Sequence, residues 1–268
     1  MIHVLLVGAG NMGFAMLQTW VGMGGHQFSV IEMNQSLRER ADATGARSYA
    51  AVSDLPEDYR ANVVVIATKP QAVVSAVSAC RGALANGAMV ISVAAGVTID
   101  ALRQSAGDDP AIIRCMPNTP AAVNEGMIVC CPSANSGRSD RDLAHGLLSA
   151  IGRVAFIEDE GLMDAVTAVS GSGPAYVFHL LEAFAAGGVA AGLPPELAMT
   201  LVKQTVFGAA KLALAPEANP TVLREQVTSP NGTTAAALAV LMRSSDGFVS
   251  LLEQAVEAAR KRSHELGA

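Results

Sequence analysis

The apolar run Val4 to Val7 passes directly into Gly8-Ala9-Gly10-Asn11-Met12-Gly13, and helical sequence continues from there to about Met23. A G-x-G-x-x-G turn set between a strand and a helix leaves few folds open. Gly8 permits the tight bend, Gly10 lets the backbone approach a pyrophosphate, and Gly13 lets helix and strand pack closely. Phosphates then meet free N–H groups at the positive end of the helix dipole. The spacing predicts a dinucleotide site with Gly8, Ala9, Gly10, Asn11, Met12 and Gly13 as its phosphate loop. A glycine-rich turn with no ligand is the plainer alternative, and the strand before it and helix after it argue against that.

The sequence that follows repeats the βαβ rhythm. Val- and Ile-rich runs at Phe28 to Ile31, Val63 to Thr68, Met89 to Val93, Ile112 to Met116, Met127 to Cys131 and Val154 to Ile157 alternate with helical stretches, as in a mostly parallel sheet. Unbroken apolar runs such as Val63-Val64-Val65-Ile66 suit strands covered on both faces. After Glu158-Asp159-Glu160 the pattern turns Ala/Leu-rich and helical, with Gly-Pro and Pro-Pro punctuation and no convincing strand. Helices are expected over Ala175 to Ala191, Pro195 to Leu214, Thr233 to Arg243 and Gly247 to His264. The fold expected is α/β: an N-terminal Rossmann-type doubly wound sheet in residues 1–158, then an all-α substrate-binding and dimerisation domain in residues 159–268. The Ala175 to Ala191 helix is apolar nearly all round, so it should be buried, and its Ala and Gly would let a partner subunit's helix pack closely.

Composition excludes several other classes. Hydrophobic residues make up 51% of the 268 and charged ones 16%, enough for a core and a subunit interface. With 24 acidic against 18 basic residues, and no Lys/Arg run interleaved with aromatics, a nucleic-acid partner is not expected. The longest tempting apolar stretch, Ala183 to Leu193, is too short and Gly-rich to span a membrane, and Ile2 to Val7 reads as a strand, not a signal segment. A cytoplasmic location is expected. Cys80, Cys115, Cys130 and Cys131 lack C-x-x-C spacing and read as free thiols. His3, His26, His145, His179 and His264 form no H-x-x-x-H pair, so no metal is expected.

Glu32 stands 19 residues beyond Gly13 at the end of the second strand, where a carboxylate accepts hydrogen bonds from the ribose hydroxyls of NAD. Asn34, Gln35, Ser36 and Arg38 follow at once and could receive a 2′-phosphate if Glu32 turned outward, so NADPH and NADH both stay open. Two loops leave the C-terminal ends of strands, where ligands gather in this architecture: Thr68-Lys69-Pro70 and Ala94-Ala95-Gly96. They are expected to line the nicotinamide half.

Packing alone does not account for three turn-rich segments: Arg114-Cys115-Met116-Pro117-Asn118-Thr119-Pro120, Val169-Ser170-Gly171-Ser172-Gly173-Pro174-Ala175-Tyr176, and Thr228-Ser229-Pro230-Asn231-Gly232-Thr233-Thr234. The last opens a helix and offers hydroxyls and uncapped N–H groups suited to a carboxylate; an ordinary N-cap after a Pro-Asn-Gly turn would look the same locally.

Taken in order with GAGNMG, TKP, SVAAGVT and AGLP, these segments closely resemble pyrroline-5-carboxylate reductase over essentially the whole chain. The resemblance implies reduction of the cyclic imine 1-pyrroline-5-carboxylate to L-proline by NADPH or NADH. It also implies that Ser229 and the amides of Gly232 and Thr233 hold the substrate carboxylate, and that the Thr234 hydroxyl hydrogen-bonds the ring nitrogen. By the same resemblance Pro117 and Asn118 would shape the pocket beside the nicotinamide, and the assembly would be a homodimer or a ring of dimers. Asn231 departs from the family's usual SPGG, which Asn tolerates at positive φ. Glu32, Ser53 and Asp54 depart from the small polar residues of NADPH-preferring members. A β-hydroxyacid dehydrogenase would need a helical lysine, for which only Lys203 and Lys211 offer themselves. A broader imine reductase, or a non-enzymatic NAD(P)H sensor, would share the first domain.

Overall fold

The computed structural model describes residues 1–215 and 217–267; Ala268, the expected end of the second domain, lies outside the described residues, as does Pro216. The strands are β1 His3–Val7, β2 Gln27–Ile31, β3 Arg47–Tyr49, β4 Ala61–Ile66, β5 Leu84–Ser92, β6 Ala111–Met116, β7 Gly126–Pro132 and β8 Gly152–Phe156. The helices are α1 Asn11–Met23, α2 Gln35–Asp42, α3 Val73–Ala79, α4 Ile99–Ala106, α5 Arg138–Leu148, α6 Met163–Val166, α7 Gly173–Ala190, α8 Pro195–Ala213, α9 Pro220–Gln226, α10 Thr233–Leu241 and α11 Phe248–Gly267. A π-helical turn, Thr167–Gly171, continues α6.

The strands form one sheet in the order β3-β2-β1-β4-β5-β6-β7-β8. The first six strands run parallel; β7 is antiparallel to β6, and β8 is parallel to β7. The chain winds out through β2 and β3, then returns to place β4 on the other side of β1. That reversal is the switch point at which ligands bind in open α/β sheets.

Alternation along each strand separates two apolar layers. Val4, Leu6, Val63, Val65, Met89 and Ile91 pack with Met16, Leu17 and Trp20 of α1 on one face. Leu5, Val7, Val64, Ile66 and Val90 pack with Val73, Val77 and Leu102 on the other. Each fully buried aliphatic side chain here contributes roughly 1.5–3 kcal/mol relative to exposure. The Trp20 indole donates to the Leu147 carbonyl at 2.7 Å, giving the buried N–H its partner. All four cysteines are free and buried, and neighbouring Cys130 and Cys131 enter opposite layers.

Two compact units divide the chain: Met1–Ser172 together with the residues from Ala259 onward, and Gly173–Ala258. The change to helical sequence at 158 therefore does not coincide with the division. Met163 and Val166 belong to one of the sheet's apolar layers, and Asp164 accepts a 2.7 Å hydrogen bond from the Ser263 hydroxyl, so these residues stay with the first unit. In the second unit α7 packs along α8, with Gly188 facing Ala198 and Leu193. Burial of α7, expected from its sequence, is not met within one chain: Ala185 is its one buried residue among those described, while Phe178 and Phe184 are 57% and 51% exposed. On α11, Phe248, Leu251 and Leu252 are likewise exposed. No helix among the described residues is long and apolar enough to cross a membrane.

Candidate active site

The glycine-rich loop that follows β1 sits where β1 and β4 part. Gly8 has φ +97°, and a Cβ there would lie 2.8 Å from the Ala67 carbonyl oxygen, so both conformation and space demand glycine. A Cβ on Gly13 would collide with the Gly8 carbonyl, which is the close helix-to-strand contact anticipated for the third glycine. At Gly10 a Cβ would meet nothing within 4 Å: this side of the loop is open. Gly10 is the N-cap of α1 with no side-chain cap, leaving the first-turn N–H groups of Asn11, Met12 and Gly13 without helical acceptors. Thr68, beside Gly8, carries a buried Oγ1 with no partner. An open glycine, an uncapped helix start and an orphaned hydroxyl together fit a bound dinucleotide.

At the end of β2 the Glu32 carboxylate points back to this loop. Its Oε2 accepts from the Ala9 N–H at 2.8 Å and its Oε1 from the Asn34 N–H at 2.9 Å. Arg38 donates through Nη1 to the carbonyls of Glu32 at 2.8 Å and Met33 at 2.7 Å. Asn34 is the N-cap of α2, accepting from Leu37 N and from the Ser36 hydroxyl. The sequence reading missed Arg40, whose Nη2 donates to the Ala9 carbonyl at 2.7 Å while its guanidinium lies 3.9 Å over the Phe14 ring. No local motif marks Arg40; only the approach of α2 to the loop reveals it.

The Ala94-Ala95-Gly96 loop is fixed from below and from the side. Gly96 has φ +77°, and a Cβ on it would lie 3.3 Å from the Leu266 carbonyl, so the end of α11 rests on the loop. Where the loop enters α4, Glu160 Oε1 accepts both the Ile99 N–H at 2.8 Å and Arg114 Nη1 at 2.7 Å. Arg114 is almost fully buried, and a buried guanidinium needs such a paired acceptor. Lys69 and Pro70 are exposed and open a short 3₁₀ turn.

Asn118 acts on the backbone. Its Oδ1 accepts from Met127 N at 2.8 Å and its Nδ2 donates to the Ser170 carbonyl at 3.2 Å, tying the buried Pro117 segment to β7 and to the π turn. That turn packs on Met116, whose Cε lies 3.1 Å from where a Cβ on Gly171 would stand.

In the second unit, Thr228–Thr234 folds as a cradle. Asn231 takes φ 58°, the left-handed conformation foreseen for it. Gly232 is the N-cap of α10, and Ser229 Oγ crowds the space a side chain on Gly232 would need. One expectation is adjusted: the Gly232 N–H is already bonded to the Ser229 carbonyl at 3.1 Å. The amides left facing out are those of Thr233, Thr234 and Ala235, which precede the first intrahelical bond, Ala236 N–H to the Gly232 carbonyl. Lys203 and Lys211 are exposed on α8. Among the described residues, no three His, Cys, Asp or Glu side chains gather as a metal site.

An open α/β sheet with a glycine-rich loop at its switch point, followed by a helical unit, is a frame suited to a dinucleotide-dependent oxidoreductase. Comparisons narrow the class. Residues 3–96 match the family model "NADP oxidoreductase coenzyme F420-dependent", and residues 160–266 match "Pyrroline-5-carboxylate reductase dimerisation". The chain is 38% identical to a pyrroline-5-carboxylate reductase of Pseudomonas aeruginosa over 98% of this chain and 96% of that protein. It is 45% identical to one of Synechocystis over 76% and 75%. The pyrroline-5-carboxylate reductase structure from Coxiella burnetii superposes with a TM-score of 0.91 at 31% identity, covering 100% of this chain and 99% of that one. The Plasmodium falciparum structure, which has NADP bound, gives 0.84 at 28%, covering 100% and 98%. The chain belongs to the pyrroline-5-carboxylate reductase family. A 3-hydroxyisobutyrate dehydrogenase of Mycobacterium tuberculosis shares the fold alone, at 15% identity and a TM-score of 0.55.

Proposed function

We propose that this chain reduces 1-pyrroline-5-carboxylate to L-proline, the last step of proline biosynthesis, with NADPH or NADH as donor. The observation that carries the reading is the second cradle: Asn231 in the left-handed region, Gly232 as a bare N-cap, and outward amides at the start of α10, in a chain that also holds a complete dinucleotide loop. When bound, the nicotinamide supplies the hydride that reaches the imine carbon. Gly8, Gly10 and Gly13 and the start of α1 hold the pyrophosphate, and the loops at Thr68-Lys69-Pro70 and Ala94-Ala95-Gly96 border the nicotinamide. Ser229 and the Thr233 amide bind the substrate carboxylate at the positive end of α10. The half-buried Thr234 hydroxyl donates a hydrogen bond to the imine nitrogen and relays a proton to it, regaining one from water, as the carbon takes up hydride. Orientation in a dry pocket supplies much of the remaining acceleration. Pro117, held in place by the Asn118 amide, borders the nicotinamide.

Purified protein given 1-pyrroline-5-carboxylate should oxidise NADH or NADPH, followed by absorbance, with L-proline identified as the product. No oxidation with either donor sinks the reading, and oxidation of 3-hydroxy acids with NAD would put the hydroxyacid dehydrogenase in its place.

The same chain assembles as a homodimer, and dimers can close into a ring. The exposed faces of α7 and α11 support this: Phe178, Phe184, Leu251 and Leu252 form apolar surface that a single chain leaves in water. Sedimentation should find at least a dimer at micromolar concentration; a monomer there would remove the assembly. The four free, buried cysteines support a cytoplasmic, reducing setting.

A further inference from the structure

The fold admits either nicotinamide dinucleotide, so the choice rests on side chains beside the adenosine ribose. In this chain those side chains are committed in a way the sequence left open. Glu32 cannot turn outward at no cost, because each of its oxygens holds a backbone N–H: Ala9 in the phosphate loop and Asn34 at the head of α2. Swinging the carboxylate away would leave the part-buried Ala9 N–H without a partner. The cations nearby are turned to other acceptors. Arg38 grips the carbonyls of Glu32 and Met33. Arg40 is anchored on the Ala9 carbonyl and the face of Phe14, and its Nε is shut away from solvent. Of the remaining polar candidates for a phosphate, Asn34 and Ser36 form the N-cap of α2 and Gln35 donates its Nε2 to Glu39 Oε1 at 2.9 Å.

We infer that Glu32 makes this protein select NADH over NADPH, and that Glu32 is its selectivity residue. The inference rests on the reading of Gly8 to Gly13 as the phosphate loop. A carboxylate has more lone pairs than two amides use, so the fixed Glu32 still accepts hydrogen bonds from ribose hydroxyls. A 2′-phosphate carries about −1.5 to −2 at neutral pH and offers acceptors, not donors. Beside Glu32 it meets a like charge, while Arg38 Nη1 and Arg40 Nη2 already donate to backbone carbonyls.

The test is direct titration of the protein with NADH and NADPH separately, following nicotinamide fluorescence at fixed ionic strength, on the wild type, Glu32→Gln and Glu32→Ser. Wild type should bind NADH more tightly by on the order of 10- to 100-fold, the size expected of one like-charge encounter near a protein surface. Glu32→Gln removes the charge while its amide oxygen can still hold one of the two backbone N–H groups, and it should tighten NADPH binding about tenfold or more. Glu32→Ser should weaken NADH and strengthen NADPH, closing or inverting the ratio. NADPH bound as tightly as NADH by the wild type, or a ratio unmoved in both variants, overturns the selectivity. Binding of neither dinucleotide would instead overturn the phosphate-loop reading and the inference with it, so the two failures look different.

Discussion

Gly13→Ala should cost this protein its dinucleotide. The added Cβ would run into the Gly8 carbonyl and come within 3.3 Å of the Ala67 side chain, and Gly8 cannot retreat because its own Cα faces the Ala67 backbone. The obstacle is main chain on both sides, so α1 must shift from β1. Overpacking of this kind typically costs 1–3 kcal/mol, which for a chain of this length lowers the melting temperature by roughly 2–4 °C per kcal/mol. The effect on ligand should be larger. On the proposed reading the phosphates meet N–H groups whose aim depends on the start of α1, so affinity for NADH and NADPH should fall by about two orders of magnitude or more, equivalent to about 3 kcal/mol. Gly10→Ala separates the two contributions. Its Cβ meets no protein atom within 4 Å, so thermal stability should be nearly untouched while the methyl group occupies the space the pyrophosphate approaches. If Gly13→Ala titrates like the wild type, the loop does not hold phosphate in the way described.

The first glycine loop was legible because its chemistry is local: strand, turn and helix are contiguous in sequence. The same holds for Asn231, whose left-handed conformation follows from the residue type that visits that region most readily after glycine. What escaped the sequence was set by partners distant in the chain. Arg47–Tyr49 is a three-residue edge strand with a charged first residue, too short for alternation to register. The reversal of β7 leaves no trace in its own apolar run, Met127 to Cys131, which would serve equally in a parallel strand. The cue lay in the connection: Pro117 to Glu125 is too short for a crossover that returns a parallel strand to the sheet, which takes a dozen or more residues. The α9 helix could have been read from Asn219 and Pro220, an N-cap followed by proline in the first turn. Arg40 and the inward turn of Glu32 could not have been, since both depend on where Ala9 comes to rest.

The apolar faces of the helical unit illustrate a different limit. Periodicity marks α7 as a helix that calls for cover, yet it cannot say by what. Within one chain the cover is absent over Phe178 and Phe184, and the match to a dimerisation family model over residues 160–266 supports oligomerisation. Hydrophobic pattern reports the need for burial, whereas the identity of the burying surface is a property of the assembly.

Thr234→Ala should leave the protein folded and able to bind dinucleotide, yet slow proline formation by about 10²- to 10³-fold, within the range general-acid and proton-relay groups contribute. Thr234 is in the first turn of α10, half-buried, immediately after the exposed Thr233. Its backbone is fixed by the Gly232 N-cap and by the first helical bond from Ala236, so removing the hydroxyl should not disturb the amides that face the carboxylate. The loss should therefore fall on kcat, with KM changed little, because the hydroxyl is worth most when the nitrogen gains its proton. Ser229→Ala should do the reverse, raising KM by weakening carboxylate binding in ground and transition states alike. Thr233→Ala keeps the amide and removes only an exposed side chain, so it should be close to wild type. Thr234→Ser keeps the hydroxyl and should recover most of the rate, which a purely packing role for the Thr234 methyl group would not allow. Wild-type turnover in Thr234→Ala would place the proton source elsewhere, with bound water next to the imine as the remaining donor.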